Sequence, residues 1–272
     1  MPNNTKEILN RFKIRLDKNK SQNYLIDNNK IENILHNSDI HDDEIILEIG
    51  AGIGTLSIPM AKRAKKVIAI EKDPVIADIL RQRLAKEGID NVEVINDDAL
   101  KIDFPPFDKV VSNLPYQISS PITFKLLNYN FKKAVLMYQL EFAKRMNARV
   151  DTKDYSRLSV ALYYRADIKI IDTLKPEAFI PQPKVNSAVI ELIPKHDVKL
   201  NSIFDDVVRD LFQHRNKKAK KALIQSAHEI GYDKRELKSI LNGVDNVLFE
   251  EKVFKLRPED ILEISNILEE LL

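Results

Sequence analysis

EIILEIGAGIGTLSIPMAKRAKKVIAIEKD, residues 44–73, is the stretch on which the fold turns. EIILEIG is a short apolar run ending in glycine, TLSIPMAKRA has helical spacing, and KVIAIEKD is apolar again. The alternation continues downstream. PVIADILRQRLAKEG reads as a helix with Pro74 in its first turn and Gly88 at its end, and apolar VEVIND follows. FDKVVSN and KAVLMYQ extend the series, with helical SPITFKLL between them. Apolar strands that alternate with helices at these lengths predict an α/β fold whose parallel sheet is covered on both faces.

After residue 155 the pattern changes. SVALYYRADIKIIDTL and KVNSAVIELIP are β-rich with no helix between them, which predicts that the sheet finishes with an antiparallel pair. From IFDDVVRDLFQHR onward the composition shifts to helix formers. Three regions are therefore expected: a basic arm over 1–20, an α/β domain over 21–199 and a helical domain over 200–272. The arm carries Lys6, Arg11, Lys13, Arg15, Lys18 and Lys20 against only Glu7 and Asp17, and reads equally as a solvated tail or an RNA-contacting arm. Across the chain, 43 Lys and Arg against 41 Asp and Glu leave a net charge of +2, so the clustering of charge matters more than its sum. The absence of cysteine excludes disulfides and thiolate metal sites, and the five histidines lack metal-ligand spacing. No segment approaches the ~18 apolar residues of a membrane span, and the expectation is a soluble cytoplasmic protein without a metal.

Two clusters carry chemistry. In EIGAGIGTLS, Gly50, Gly52 and Gly54 sit between a predicted strand and a predicted helix, where glycine lets the backbone turn sharply and approach a ligand. Glu71 ends the next strand, where a carboxylate can accept both hydroxyls of a ribose. Ribose binding alone does not separate a nicotinamide cofactor from S-adenosylmethionine. The dinucleotide fingerprint requires a further glycine where this chain has Thr55, which disfavours a dehydrogenase. Asp98, just past the third strand, is placed to accept from an adenine amino group; Asp97 is the weaker choice, and either could simply cap a turn.

The second cluster is NLPY, residues 113–116, at the carboxyl end of the fourth strand. Asn and Pro are common turn residues, but this position is the lip of the ligand crevice in an open α/β sheet. The amino group of adenine is a poor nucleophile because its lone pair is delocalised into the ring. The side-chain oxygen of Asn113 and the backbone carbonyl of Leu114 can accept its two hydrogens and drive the nitrogen towards tetrahedral geometry. Pro115 holds that carbonyl inward and Tyr116 offers a ring face to the base.

With these residues in place, the chain resembles the S-adenosylmethionine-dependent rRNA adenine N6,N6-dimethyltransferases of the KsgA type, in their archaeal form. The resemblance runs from about residue 18 to 272 and rests on SQNYLID, LEIGAGIGTLS, Glu71, DDAL, NLPYQISSPI, MYQLEFAKRM, YSRLSV, AFIPQPKVNSAV and FQHRNKKAKKAL. It implies a Rossmann-like methyltransferase sheet followed by a small all-helical domain. It also implies S-adenosyl-L-methionine as cofactor, held by Gln22, Asn23, Leu25, Gly50, Gly52, Glu71, Asp98 and Asn113. Phe179 would stack on the target adenine opposite Tyr116. Ser21 and Tyr24 stand where relatives commonly have Gly and Phe.

Arg215, Lys217, Lys218, Lys220 and Lys221 form a dense basic run, and on a helix 217, 220 and 221 would share one face. A lone run of this kind is by default a solvated surface; the resemblance makes it an rRNA contact, which Lys144, Arg145 and Arg149 could extend. The implied reaction is dimethylation of two adjacent adenosines near the 3′ end of small-subunit rRNA, within a pre-assembled small subunit, by a monomer with a role in subunit biogenesis. Its rivals are a large-subunit resistance-type dimethyltransferase and an assembly factor whose catalysis is incidental.

Overall fold

A computed structural model of the protein describes residues 5–12, 23–196, 199–230 and 233–271. They fall into two compact units, one within Met1–Ala143 and Ile168–Pro194, the other within Lys144–Asp167 and Lys195–Leu272. Most of the basic arm, and Gln22, lie outside the described residues; Thr5–Arg11 is a helix, α1.

In the first unit the chain runs through β1 (Tyr24–Leu25), α2 (Asn28–Ser38), β2 (Ile45–Ile49), α3 (Ser57–Ala61), β3 (Lys66–Ile70), α4 (Pro74–Glu87) and β4 (Val92–Ile95). It continues through β5 (Lys109–Asn113), α5 (Ser119–Leu126), β6 (Lys133–Gln139) and the first turn of α6 (Leu140–Met146). Local chemistry sets these limits. Asp73 caps α4 by accepting from the Val75 N–H at 3.0 Å, Pro74 occupies the first turn, and Gly88 ends the helix in the left-handed region at φ +66°.

The main sheet has the order β4-β3-β2-β5-β6-β9-β7, with β9 (Ser187–Pro194) and β7 (Ala166–Leu174) last. Strands β2 to β6 pair in parallel and β9 pairs antiparallel to β6. The chain thus lays β3 and β4 on one side of β2, then crosses to place β5 and β6 on the other. That reversal is the point at which an open α/β sheet opens a crevice. The crevice is visible in the register: β2 and β5 pair only at Ile46↔Lys109 and Leu47↔Val110, and beyond them the Ser112 hydroxyl reaches the Ile49 carbonyl at 2.5 Å. A separate two-stranded ladder joins β1 to β8 (Phe179–Ile180).

The second unit contains the rest of α6, α7 (Arg157–Tyr163), α8 (Phe204–Gln213), α9 (Ala219–Gln225), α10 (Lys234–Asn242) and α11 (Pro258–Leu271) around a core that includes Tyr155, Phe204, Leu211, Leu223, Phe249 and Leu268. Two expectations need correction. RLSVALY is helical, because Ser156 and Ser159 form a reciprocal capping box and Leu158, Val160, Ala161 and Leu162 are all buried, which outweighs the β propensity of the run. A single boundary near 199 also differs from the observed division. Residues 144–167 belong with the C-terminal helices: Tyr155 and Val160 are in their core, and the Tyr155 hydroxyl donates to the Leu256 carbonyl at 2.8 Å. Among the described residues no helix is long and apolar enough to cross a membrane.

Candidate active site

At the carboxyl ends of β2, β3, β4 and β5 the first unit opens a cleft of about 570 Å³. Its wall is built by the loops that leave those strands, together with Asn23, Tyr24 and Leu25 from β1 and the residue before it.

The glycine loop follows β2. Gly50 has φ +74°, and a Cβ there would stand 3.0 Å from Cδ of Pro115. Gly50 is thus required twice, for the turn and for the seat of the NLPY segment. Gly52 donates its N–H to Oε2 of Glu71 at 2.8 Å, and the Asp73 N–H reaches Oε1 at 2.9 Å. Burial raises the Glu71 carboxyl above its usual range, while these two donors act in the opposite direction. Arg83 of α4, itself buried, donates to the Ile53 carbonyl and holds the loop from beneath.

Asp98 lies across the cleft. Its carboxylate accepts from Lys72 Nζ at 2.9 Å and from the Leu100 N–H at 3.0 Å, and the lysine contact lowers its pKa first of all. Asp97 is exposed and its side chain accepts the Asp98 N–H at 2.6 Å, the turn-capping role that its sequence position allows.

Asn113 is the last residue of β5 and is half buried. Its side-chain amide donates to the Asn23 carbonyl at 2.9 Å, which leaves the amide oxygen as the end offered to a ligand. Leu114, Pro115 and Tyr116 also line the cleft. The Tyr116 hydroxyl is 2.6 Å from Ser187 Oγ, on β9, so the ring is tied at its far end; burial raises the phenol pKa.

Asn23, Leu25, Gly50, Gly52, Glu71, Asp98 and Asn113 to Tyr116 are therefore brought together from distant parts of the sequence. Phe179 does not join them. The ring is 0 % exposed and belongs to the core cluster that includes Leu25, Leu174, Ala178 and Val189. Phe179 pairs with Leu25 across the β1–β8 ladder, and strand alternation turns its side chain inward. A ring without an exposed face cannot stack on a base in this conformation, which corrects the stacking expectation.

Three cleft residues receive no role in the sequence reading. Glu48, on β2, is 2 % exposed and its carboxyl is pushed up to about 8 by burial, with the negative charge of Glu71 adding to the rise. Ser57 donates to it from α3. Its signal is legible as the one acid inside an apolar strand. Asp73 and Tyr24 are the others; the hydroxyl that distinguishes Tyr24 from the usual Phe is the available cue.

The basic run lies in the second unit and departs from the expected helical stripe. Lys217 and Lys218 precede α9: Lys218 is extended, bridges to Lys252, and the Lys217 carbonyl accepts from the Val253 N–H at 3.0 Å. This backbone pairing with 251–253 keeps both lysines out of the helix, so only Lys220 and Lys221 lie on it. Arg215 donates to the carbonyls of Lys153 and Thr152, both at 3.1 Å; Lys217 is bonded to the Gln225 side chain; and Lys218 is ion-paired with Glu250 at 2.7 Å. Lys144, Arg145 and Arg149 are exposed in the same unit.

The family model described as ribosomal RNA adenine dimethylase matches residues 13–270. A protein of Methanosphaera stadtmanae named "Probable ribosomal RNA small subunit methyltransferase A" is 72% identical over 266 residues, covering 98% of this chain and 98% of its own. A protein of the same name from Methanothermobacter thermautotrophicus is 52% identical, covering 98% of this chain and 96% of its own. Among solved structures, a dimethyladenosine transferase from Plasmodium falciparum aligns with TM-score 0.78 at 30% identity, over 91% of this chain and 98% of that one. The 23S rRNA methyltransferase ErmE aligns with TM-score 0.66 at 29% identity, over 91% of this chain and 100% of that one.

Proposed function

The chain belongs to the ribosomal RNA adenine dimethylase family and is an rRNA adenine dimethyltransferase, and from that premise we propose that it uses S-adenosyl-L-methionine to dimethylate N6 of two adjacent adenosines near the 3′ end of small-subunit rRNA. The observation that carries the reading is the hydrogen bond from Asn113 to Asn23, because it presents an oriented amide oxygen inside the cleft where a target amine would lie.

The cleft fits the cofactor. Glu71 is buried at the end of β3 and suits a ribose diol, Asp98 is an acceptor for an adenine amino group, and Gly50 and Gly52 line the cleft with backbone alone. When bound, S-adenosylmethionine supplies an electrophilic methyl group. Asn23, Leu25, Gly50, Gly52, Glu71 and Asp98 would hold it; Gln22, assigned to the same pocket, lies outside the described residues.

The chain's own groups then act on the adenine. Asn113 Oδ1 and the Leu114 carbonyl accept the two amino hydrogens, which localises the nitrogen lone pair, and Pro115 keeps the carbonyl turned inward. Tyr116 offers a ring face to the extruded base, its orientation held by Ser187. No strong general base is required, since the proton leaves an already cationic nitrogen, and alignment of the two reactants supplies most of the acceleration.

Arg215, Lys217, Lys218, Lys220 and Lys221, with Lys144, Arg145 and Arg149, are proposed as rRNA contacts. A pre-assembled small subunit is the proposed substrate particle, the enzyme acts as a cytoplasmic monomer, and its modification step contributes to small-subunit biogenesis. The relatives named for the small subunit support this choice over the large-subunit rival.

The test is transfer of labelled methyl from S-adenosylmethionine to purified unmethylated small subunits and, in parallel, to large subunits, with the modified bases mapped. Label confined to paired adenosines near the small-subunit 3′ end is expected. Label on the large subunit would transfer the reading to the resistance-type enzymes. Measurable cofactor binding without any transfer would favour an assembly factor.

A further inference from the structure

The proposed reaction makes no use of Tyr24, although this side chain forms part of the cleft wall beside its buried acids. The residue is 7 % exposed, and its ring lies against the glycine loop, with Cε1 3.2 Å from the point a Cβ on Gly52 would occupy. Gly52 in turn donates to Glu71. Among the described residues the buried Tyr24 hydroxyl has no hydrogen-bond partner. Such a group costs free energy, and nearly all buried polar atoms in folded proteins avoid it. Phenylalanine would fill the same space without that cost, so packing alone does not account for the oxygen.

The surroundings indicate the chemistry of the missing partner. Burial raises the Tyr24 pKa, and the negative charges of Glu71 and Asp73 raise it further, so the phenol keeps its proton and is a permanent donor. An ionised Glu71 can only accept. A ribose diol that gives its protons to that carboxylate still has oxygen lone pairs in need of a donor, and Tyr24, packed on the glycine loop that itself donates to Glu71, carries one.

We propose that the Tyr24 hydroxyl donates a hydrogen bond to a ribose oxygen of the nucleoside cofactor held at Glu71, which makes Tyr24 a ribose-recognition residue. This assignment rests on the S-adenosyl nucleoside reading of the cleft.

Calorimetric titration of the wild-type chain and Tyr24→Phe with S-adenosylhomocysteine and its 2′-deoxy and 3′-deoxy analogues tests it. The substitution is expected to weaken S-adenosylhomocysteine by about 3- to 10-fold, the range of one neutral hydrogen bond. The loss should vanish with the analogue lacking the partner oxygen. Equal affinity of the two chains for S-adenosylhomocysteine, or the same loss with all three ligands, would overturn the proposal while leaving the cofactor assignment standing. A wild-type chain that binds none of the three would remove the cofactor assignment itself, and this proposal with it. The free variant should melt at the wild-type temperature or above it, because a dry hydroxyl has been removed; a clear drop in Tm would mean that the hydroxyl already has a partner within the chain.

Discussion

At Asn113 the side-chain NH2 is committed to the Asn23 carbonyl, and this one contact decides which end of the amide faces the cleft. Asn113→Ala is expected to lower methyl transfer by at least about 100-fold, the scale seen when a positioned polar group is removed from a transition state. Binding of S-adenosylhomocysteine should persist. Retention of full activity would remove Asn113 from the mechanism. Glu48 offers a second test at this scale. Its carboxyl titrates at about 8 in the folded chain against 4.5 as the ordinary value. Between those values the folded chain holds a proton that the unfolded chain has lost, so this residue makes stability fall as pH rises from about 4.5 to about 8. Glu48→Gln mimics the protonated acid and should flatten that dependence, with the largest gain at pH 8. Urea denaturation of both chains at pH 5 and pH 8 measures the difference; parallel pH profiles would show that Glu48 does not carry the linkage.

Among the elements, the glycine loop and the NLPY segment depend on each other through one contact. Gly50→Ala forces a Cβ against Pro115 at 3.0 Å and holds a non-glycine residue at φ +74°. A loss of about 1–3 kcal/mol in stability is expected from the strained backbone, and a larger proportional loss in transfer if Pro115 orients the Leu114 carbonyl as proposed. Equilibrium unfolding and single-turnover transfer on the same preparation separate the two effects. A variant with lowered stability but unchanged transfer per folded molecule would break the proposed link. The β1–β8 ladder shows the limit of motif reading: FIPQPKV points Phe179 at the target base, yet antiparallel pairing with Leu25 turns that ring into the core.

For the whole molecule, substrate choice is proposed to depend on positive charge in the second unit, and the structure alters the expected weighting. Lys218 is neutralised by Glu250 and Lys217 is held by Gln225, whereas Lys220 and Lys221 stand in the first turn of α9. Replacing Lys217, Lys218, Lys220 and Lys221 together by Gln should weaken binding to small subunits and flatten the salt dependence, by about one unit of slope for each phosphate no longer neutralised. Replacing only Lys220 and Lys221 should produce most of that change. An unchanged slope in the fourfold variant would return the run to an ordinary solvated surface.

The alternating strands and helices from residue 44 to 139 were legible in the sequence because the elements there carry their own signals: apolar runs, helical spacing, a proline in a first helical turn and a terminal glycine. The same local signals placed Gly50, Glu71, Asp98 and Asn113 at strand ends, and strand ends of one parallel sheet must meet along one edge. Tertiary structure alone decided the remainder. RLSVALY has β-leaning composition and became a helix because its apolar face found a core. Lys217 and Lys218 left the helix because their backbone pairs with residues far along the chain. The burial of Phe179, the raised pKa of Glu48 and the lack of a partner for the Tyr24 hydroxyl among the described residues each depend on which distant atoms surround the residue, and local propensity contains no information about those neighbours.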